Sequence, residues 1–551
     1  MSNLINAAVN KIVGAVNTLS GTGRYQADPL AVYNVLCATK THTLLLESAE
    51  IDKKHQLKSL LLVDAAVKIV CHGNQVTFTP LTINGSAAIE FAKQQLELEP
   101  INNDVTLVLN NNILMATFNE VTENLDERTR LLATNPFQAL RLFTQLKNIN
   151  HHPLAVFLGG AFAFDMMSMS EKLPEVADGE NTCPDFVYYL AETLVVIDHE
   201  KRSTEIIGNV FSGKEQQKCY FEISRRLSNI KEKLNDNIEA PATIINEDSI
   251  VPEVTTDISD QQFCQNVEQL KENIRAGDIF QVVPSRTFSL PCINTMNAYQ
   301  ALKISNPSPY MFYLQDSDFC MFGASPESAI KYQQDSPQGK RQVEIYPIAG
   351  TRPRGYTKEG KFSLDLDSRI ELELRQDKKE LAEHIMLVDL ARNDIARVSE
   401  PGTRHVADLL KVDRYSHVMH LVSRVCGTLD QDLDALHAYQ ACMNMGTLSG
   451  APKVKATELI RQIEGKRRGS YGGAVGYITG AGEMDTCIVI RSAFVKDGIA
   501  QIQAGAGVVF DSDPQSETNE TRQKAQAVIS AIITAAKVQA VTQPTQEKEL
   551  N

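Results

Sequence analysis

The 551-residue sequence contains no tryptophan, no long apolar run and no closely spaced pair of cysteines. Its longest apolar runs, such as residues 59–63, fall far short of the roughly 20 residues that a membrane-spanning helix requires. The ten cysteines are scattered without a C-x-x-C pair, which is typical of free thiols in a reducing compartment. Lys11 interrupts the first apolar stretch and no charged segment precedes it, so no secretory signal is expected. These absences predict a cytoplasmic protein with no membrane partner.

Positive charge is also in short supply. The chain has 54 Lys and Arg against 68 Asp and Glu, which gives a formal net charge of −14. A nucleic-acid-binding surface needs clustered cations to contact phosphates, so no nucleic-acid partner is expected. The remaining composition, 43% hydrophobic and 22% charged, is that of an ordinary folded protein. A chain of this length exceeds one compact core, which predicts two large domains or one elaborate one.

Residues 235 to 260 are predicted to form a linker. The stretch contains Ala240-Pro241 and Val251-Pro252 and has few periodic apolar positions. We therefore predict an N-terminal domain over residues 1–245 and a second domain over residues 255–530. The polar tail, residues 540–551, is predicted to be disordered.

Apolar runs that end near glycine or proline predict the strands of a buried sheet. The predicted strands include residues 105–109, 192–197, 343–348, 473–478, 486–490 and 499–503. A helical pattern covers residues 215–234. Strands and helices do not alternate regularly, so the sequence predicts an α+β fold with large antiparallel β-sheets flanked by helices, and not a barrel of βα units.

Two pairs of glutamates have the spacing of neighbours on a helix face. Glu380 and Glu383 lie in a long helical pattern, and Glu517 and Glu520 repeat the spacing near the start of the last helix. Mg²⁺ prefers carboxylate oxygens and is often completed by an anionic substrate, so one glutamate from each helix would suit it. The alternative is that both couples are solvated helix faces, which the spacing alone favours.

A glycine-rich segment follows a predicted strand at Gly505-Ala506-Gly507. Its backbone N–H groups can bind a carboxylate, or the segment can be a tight bulge with no ligand. A dinucleotide fingerprint would need a third glycine where Phe510 stands. The segment Gly446–Lys453 is no phosphate-binding loop either, because its lysine follows a proline.

Three further side chains have two interpretations each. Arg491 ends an apolar run, where it forms a salt bridge or binds a substrate carboxylate. Tyr471 can supply a hydroxyl beside it. The basic run at residues 466–468 favours a solvated loop over a binding patch. His420 can titrate near neutrality, although a lone histidine is more often structural.

Six segments, taken in their order along the chain, resemble the chorismate-utilising enzymes. The resemblance is strong over residues 260–530, and Leu44–Ser48 extends it, because this run is similar to the N-terminal domain of the first component of anthranilate synthases. The resemblance implies the antiparallel α+β fold of that family. The six segments are Gly323–Glu327, Pro347–Gly355, Glu383–Asp394, Gly446–Lys453, Tyr471–Gly476 and Gln503–Gly507.

The resemblance implies a Mg²⁺ cofactor held by Glu383 and Glu520, with Glu380 and Glu517 behind them. Chorismate carries two carboxylates, and Arg491 and Tyr471 are expected to bind the enolpyruvyl one, with Lys524 adding positive charge. The ring carboxylate is expected near Gly350, Thr351, Gly505, Ala506 and Gly507. Catalytic roles are implied for Glu327 as general acid, for His420 in the elimination step, and for Thr447.

The implied reaction joins chorismate and ammonia to give anthranilate and pyruvate, the first step of tryptophan biosynthesis. Relatives that use water carry a lysine base where this chain has Gln281, and aminodeoxychorismate synthases carry a nucleophilic lysine where it has Ala349. Both positions favour anthranilate. The alternatives are an aminodeoxychorismate, isochorismate or salicylate synthase, or a non-catalytic chorismate or tryptophan sensor.

Two partners follow from the same resemblance. No cysteine lies in a Gly-x-Cys-x-Gly context, so ammonia is expected from a separate glutaminase subunit, in a heterotetramer of two large and two small chains. L-Tryptophan is expected to act as a feedback inhibitor. Its predicted regulatory site comprises Glu47, Ser48, Lys58, Pro309, Tyr310, Met311, Val475 and Tyr477.

Overall fold

Sheet formation dominates the chain, as its many apolar runs predict. The computed structural model describes residues 14–48, 57–120, 125–236, 238, 243–245, 251–334, 339–415 and 418–540. Its α-helices are α1 (Pro29–Cys37), α2 (Ile83–Leu96), α3 (Glu127–Leu132), α4 (Gln138–Thr144), α5 (Gln216–Lys233), α6 (Asp260–Ala276), α7 (Thr295–Ser305), α8 (Leu364–Gln376), α9 (Lys378–Ala396), α10 (Ala435–Cys442), α11 (Lys453–Glu464) and α12 (Pro514–Ala536). Short 3₁₀ helices cover Ile101–Asn103 and Phe164–Met169.

Strands occur along the whole described chain. In order they are β1 (Ala15–Gly23), β2 (Thr43–Glu47), β3 (Lys58–His72), β4 (Gln75–Pro80), β5 (Val105–Asn110), β6 (Ile113–Phe118), β7 (Lys147–Asn148), β8 (Phe157–Phe162), β9 (Phe186–Asp198), β10 (Ser203–Phe211), β11 (Thr243–Ile245), β12 (Thr255–Thr256), β13 (Gln281–Val282), β14 (Ser285–Pro291), β15 (Tyr310–Gln315), β16 (Cys320–Ser325), β17 (Ser328–Gln334), β18 (Arg341–Ile345), β19 (Ile348–Pro353), β20 (His405–Arg414), β21 (Val418–Thr428), β22 (Gly450–Ala451), β23 (Ala474–Thr479), β24 (Met484–Ile488), β25 (Ser492–Lys496), β26 (Ile499–Gly505) and β27 (Val538–Ala540).

The long strand β9 is the branch point of the main sheet. It pairs with β3 over almost its full length, with β8 through its first half and with β10 through its second half. From β3 the sheet continues through β2, β15, β16, β25, β26 and β14. From β8 it continues through β23, β24, β17, β18 and β21, and β21 also pairs with β19 and β20.

Nearly all strand pairs among the described residues are antiparallel, with β1 and β7 as the parallel exception. The expected α+β fold with large antiparallel sheets flanked by helices is therefore confirmed. The predicted helix over residues 215–234 is α5. The strand predicted over residues 343–348 is instead split into β18 and β19, because Pro347 between them has no N–H for the ladder. The strand predicted over residues 486–490 ends at Ile488, two residues early.

The main sheet crosses the predicted domain boundary. β2 pairs with β15 and β8 pairs with β23, so strands from both sides of the predicted linker belong to one hydrogen-bonded sheet. Part of that linker, residues 237, 239–242 and 246–250, lies outside the described residues, as does the predicted disordered tail apart from residue 540. The divisions at 1–245 and 255–530 remain predictions.

Two helices that carry the glutamate couples lie on different parts of the sheet. α12 buries Val528 and Ile532 in a core cluster that also contains Ile502 of β26. α9 buries Ala391 in a second cluster with Val425 of β21. Apolar packing against the sheet therefore fixes each helix before any ligand is considered. Over the described residues, no helix has the length and apolarity to cross a membrane.

Candidate active site

The two glutamate couples lie at the N-terminal ends of α9 and α12. The side chain of Asp377 accepts hydrogen bonds from the backbone of Lys379 and Glu380, and so caps α9. Asp513 caps α12 in the same way, and Pro514 occupies the first helical position. Each couple therefore begins in a first turn, where the helix dipole favours negative charge.

Electrostatic interactions show that the two couples are neighbours. Burial raises the pKa of Glu383 to about 7; Lys379 opposes this shift, and the charges of Glu380, Glu520 and Glu517 add to it. Burial also raises the pKa of Glu517, against a hydrogen bond from Ser512, and the charge of Glu520 raises it further. Four carboxylates from two separate helices thus repel one another across one small region.

Three of these carboxylates have cationic partners. Glu380 Oε1 is 2.9 Å from Nη1 of Arg352, and Glu520 Oε1 is 2.6 Å from Nζ of Lys524. Lys379 Nζ is 3.8 Å from Glu383. No three His, Cys, Asp or Glu side chains in the described part of the chain already form a metal-holding group. The donor set nevertheless fits Mg²⁺, because a divalent cation between Glu383 and Glu520 would offset the burial and the carboxylate repulsion that together raise the pKa of Glu383.

The antiparallel pairing of strands β19 and β21 brings His420 beside Thr351. Gly350 has φ +77° at the point where the register between these strands shifts, and a Cβ there would lie 3.2 Å from Glu380 Oε2. His420 Nδ1 is 3.0 Å from Thr351 Oγ1 and 3.3 Å from Gly350 O. Glycine is favoured here because the backbone is left-handed and the Glu380 side chain of α9 lies close to it.

Burial lowers the pKa of His420 to about 4, with the Gly350 carbonyl opposing the shift and the charge of Arg491 adding to it. The imidazole is therefore neutral at pH 7. When Nδ1 donates to the Gly350 carbonyl, Nε2 remains an acceptor. This is the protonation state that a base requires.

Glu327 follows strand β16 and faces the loop that carries Thr447. The Thr447 hydroxyl donates to Glu327 Oε2 at 3.1 Å. Burial raises the pKa of Glu327, against the Thr447 hydrogen bond and the charges of Arg491 and Lys524. The net shift favours the protonated carboxyl, which is the form that donates a proton.

Arg491 connects the Glu327 side of the site with the glutamate couples. Burial lowers its pKa, and the charges of Glu327 and Glu520 are among those that oppose the shift. Its φ is +51°, an uncommon left-handed conformation for a residue with a side chain. Arg491 lies between β24 and β25, three residues beyond the end of β24 and one residue beyond the strand end that the sequence predicts. Its half-buried guanidinium is available to bind an anion.

The glycine-rich segment forms the remaining part of the candidate site. The Lys524 ammonium donates to the Gly505 carbonyl at 3.0 Å, and a Cβ on Gly505 would lie 3.0 Å from the Tyr471 hydroxyl. A Cβ on Gly507 would lie 2.8 Å from Nε2 of Gln281. Gln281 is buried, and its Oε1 has no hydrogen-bond partner in the structure. A buried polar acceptor without a partner thus lies beside the glycine-rich segment.

Direct contacts or electrostatic interactions therefore bring the predicted active-site residues into one region. Arg352, which is not among the residues predicted from the sequence, forms an ion pair with Glu380 of α9. The prediction that residues 466–468 form a solvated loop is wrong. Arg467 pairs with the buried Asp185, and Arg468 is buried against Glu464. Only the i, i+4 spacing of Glu464 and Arg468 signals this in the sequence.

Part of the predicted tryptophan site also assembles. The Ser48 hydroxyl donates to the Pro309 carbonyl at 2.7 Å, where β2 meets β15. Tyr310 OH donates to Asp485 at 3.1 Å, and the ring of Tyr477 stacks on Phe157 with a centroid distance of 5.2 Å. Tyr310, Tyr477 and Val475 belong to the same apolar cluster.

The side chains of two predicted residues lie on the opposite face of the sheet from this cluster. The Glu47 carboxylate accepts hydrogen bonds from Tyr299 at 2.5 Å and Lys303 at 2.6 Å, both on α7. Met311 is fully buried on the same side. Side chains alternate across a strand, so Glu47 and Met311 cannot share a face with Ser48 and Tyr310. Lys58 is exposed at the start of β3.

The comparisons with known proteins agree with one another. A family model for chorismate binding enzymes matches residues 101–530. Anthranilate synthase component 1 of Vibrio cholerae serotype O1 is 55% identical over 533 residues, 96% of this chain and 99% of that protein. The Escherichia coli (strain K12) protein of that name is 54% identical over 520 residues, 94% of this chain and 97% of that protein. The crystal structure of anthranilate synthase component I from Streptococcus pneumoniae TIGR4 has a TM-score of 0.64 and 27% identity, covering 87% of this chain and 94% of that chain.

Cation binding at the glutamate couples is expected to weaken as the pH falls below about 7. Glu383 has a raised pKa of about 7, and a cation must displace its proton below that value. Each further pH unit should lower the apparent Mg²⁺ affinity up to about tenfold. Calorimetric titration of Mg²⁺ across this pH range measures the effect. Glu383→Gln should bind more weakly with a flatter profile, and a pH-independent affinity of the unmutated protein would contradict the prediction.

Proposed function

Because this chain belongs to the chorismate-binding enzymes and, within them, to the anthranilate synthase component 1 family, we propose that it converts chorismate and ammonia into anthranilate and pyruvate. One observation carries the proposal. A carboxyl biased towards its protonated form, Glu327, and a neutral imidazole, His420, both interact electrostatically with Arg491 in one site. An acid, a base and an anion-binding group are what a dianionic substrate that loses a hydroxyl and then pyruvate requires.

In the first step, Glu327 donates its proton to the ring hydroxyl, which leaves as water. A carbon–nitrogen bond forms at the ring carbon next to the carboxylate-bearing one, and the ring double bonds shift. The ammonia nitrogen then loses a proton, which gives an amino-deoxy-isochorismate. Thr447 holds the Glu327 carboxyl in place at 3.1 Å. Gln281 cannot deprotonate water, and its Oε1, which has no hydrogen-bond partner, can accept a hydrogen bond from ammonia.

In the second step, His420 removes the hydrogen from the amino-bearing ring carbon or orients the group that does. The adjacent ring carbon–oxygen bond breaks, the ring becomes aromatic, and a proton reaches the terminal carbon of the departing enolpyruvyl group to give pyruvate. Thr351 and the Gly350 carbonyl fix the imidazole in the required orientation. Arg491 and Tyr471 hold the enolpyruvyl carboxylate until the bond breaks.

Mg²⁺ is part of the proposal as cofactor, with Glu383 and Glu520 as its ligands and Glu380 and Glu517 behind them. When bound, it supplies electrostatic stabilisation of the ring carboxylate. Gly505 and Gly507 leave the backbone accessible to that carboxylate, and Lys524 adds a positive charge. We place the ring of chorismate between this end and Arg491.

The nitrogen donor is proposed to be a separate glutaminase subunit. The relatives are named component 1, which implies a second component. No cysteine of the chain has the sequence context of a glutaminase nucleophile. We propose that the two subunits work in the cytoplasm and form a heterotetramer. Free ammonia is expected to replace the glutaminase in vitro.

The purified chain with chorismate, Mg²⁺ and ammonium is expected to develop anthranilate fluorescence. Glu327→Gln removes the acid and should lower the rate by about 10²–10⁴-fold. Asp389→Asn, at an exposed position of α9, serves as the matched control and should retain the rate of the parent chain. Formation of isochorismate, or of an amino product without pyruvate release, would assign the chain to one of the related activities. No consumption of chorismate would indicate a sensor.

His420→Met is expected to separate the two steps. Amination does not use the imidazole, so chorismate should still be consumed, while release of pyruvate falls by about a hundredfold or more. Chromatography of the reaction should then show the accumulated amino-deoxy-isochorismate. Normal anthranilate output by this variant would refute the role of His420.

L-Tryptophan is proposed to inhibit by binding where Ser48 meets Pro309. Ser48→Phe places a bulky ring in this site and should abolish inhibition while activity without tryptophan persists. The chain contains no tryptophan, so emission from the added ligand reports binding directly. Ser20→Phe, on the exposed face of β1, is the control. Unchanged tryptophan binding and inhibition in Ser48→Phe would place the regulatory site elsewhere.

A further inference from the structure

We propose that the buried pair of Arg468 and Glu464 positions the chorismate-binding segments without touching the substrate. The inference rests on the proposed function and adds to it a positioning role for two residues. Their side chains are only 2% and 4% exposed, and they lie beneath the loops that form the site. A charged pair so deeply buried is costly unless it is hydrogen-bonded, and here every side-chain nitrogen and carboxylate oxygen of the pair has a hydrogen-bond partner.

The Arg468 guanidinium holds three separate segments. Its Nε and Nη2 form a two-point contact with Glu464, at 2.9 and 2.5 Å. Nη1 donates to the Leu448 carbonyl at 2.8 Å, and Nη2 donates to the Val283 carbonyl at 2.6 Å. Leu448 follows the catalytic Thr447, and Val283 is two residues from Gln281. The planar guanidinium therefore fixes the loop that carries Thr447 relative to the segment that carries Gln281.

Glu464 extends the connection to the glycine-rich segment. Its Oε1 accepts hydrogen bonds from the backbone N of Ser285 at 2.9 Å and from the Ser285 hydroxyl at 2.7 Å. Ser285 pairs with Gly505 across β14 and β26, and its hydroxyl also accepts from Gln503 at 2.8 Å. Glu464 thus fixes, through Ser285, the position of Gly505, where a substrate carboxylate is expected.

Aromatic contacts connect the same guanidinium to Tyr471. The Arg468 Cζ atom lies 5.4 Å from the centroid of the Tyr471 ring and 4.5 Å from that of Phe164. Such contacts favour one ring position over others. Burial raises the pKa of Tyr471 to about 12, with the charge of Arg468 opposing the shift, so the phenol remains a hydrogen-bond donor at neutral pH. Four segments of the site therefore meet at one ion pair.

Removal of this pair should affect substrate binding beyond its effect on stability. Arg468→Met leaves a buried carboxylate and two carbonyls without their partner, so the thermal transition should shift downwards. Displacement of Tyr471 and Gly505 should also raise KM for chorismate by about tenfold or more. Lys68→Met is the matched control, because it removes the cation of another buried pair, with Asp316, outside the site (side chains 15% and 0% exposed). It should lower stability but leave KM unchanged.

The double variant Arg468→Met/Glu464→Met separates positioning from stability. Apolar residues that replace a whole buried ion pair often recover the stability that loss of one partner removes. The four segments nevertheless remain untethered, so KM for chorismate should stay high although the thermal transition recovers. Recovery of KM together with stability, or an equal rise in KM in Lys68→Met, would overturn the proposal.

Arg468→Lys keeps the charge but cannot span the three acceptors, so it should also raise KM. It decides the matter if Arg468→Met does not fold, because a folded Arg468→Lys with the KM of the parent chain contradicts the proposal. Failure of the parent chain to make anthranilate would refute the proposed function instead. An active parent chain with unaffected Arg468 variants refutes only the positioning role.

Discussion

Repulsion between carboxylates at the first turns of α9 and α12 is the constraint around which the site is built. The helix dipoles favour negative charge there, but they do not remove the repulsion, since the charges of Glu380, Glu520 and Glu517 add to the burial that raises the pKa of Glu383 to about 7. Such an arrangement persists only because each helix is held by apolar packing on its own part of the sheet. A cation that bound between the two helices would release the free energy stored in the repulsion, which is the physical basis of the proposed Mg²⁺ site.

One physical cause, burial, sets the protonation states of the two groups assigned to proton transfer. Burial disfavours the charged form of both Glu327 and His420, so the carboxyl shifts towards a neutral acid and the imidazole towards a neutral base. The positive charge of Arg491 opposes the rise in the pKa of Glu327 and adds to the fall in the pKa of His420. An acid and a base with opposite tasks can therefore coexist a short distance apart at the same pH.

Local patterns in the sequence predict the elements well, and ordered motifs predict the site. The strand predicted over residues 499–503 is β26, which continues to Gly505, and Glu517 lies near the start of α12 as predicted. Partners that are remote in the chain cannot be predicted in this way. Residues 466–468 resemble a solvated loop because Asp185 lies nearly three hundred residues earlier. The sequence likewise does not show which side chains of β2 and β15 share a face of the sheet, because this depends on which strands pair. The pairing of β2 with β15 directs the Glu47 carboxylate to α7.

The proposed regulatory and catalytic sites share strands, which limits how one can influence the other. Tyr310, on β15, pairs in register with Ser325 on β16, and the Ser325 hydroxyl accepts a hydrogen bond from the Glu327 backbone at 3.3 Å. Asp485, the partner of Tyr310, lies on β24, whose last residue, Ile488, donates to the Glu327 carbonyl at 3.0 Å. A ligand that separates β15 from β24 must therefore move Glu327 or strain the two hydrogen bonds that the Glu327 backbone forms. Inhibition through this region then requires only that tryptophan favour the strand spacing in which Glu327 and Arg491 no longer face the same substrate.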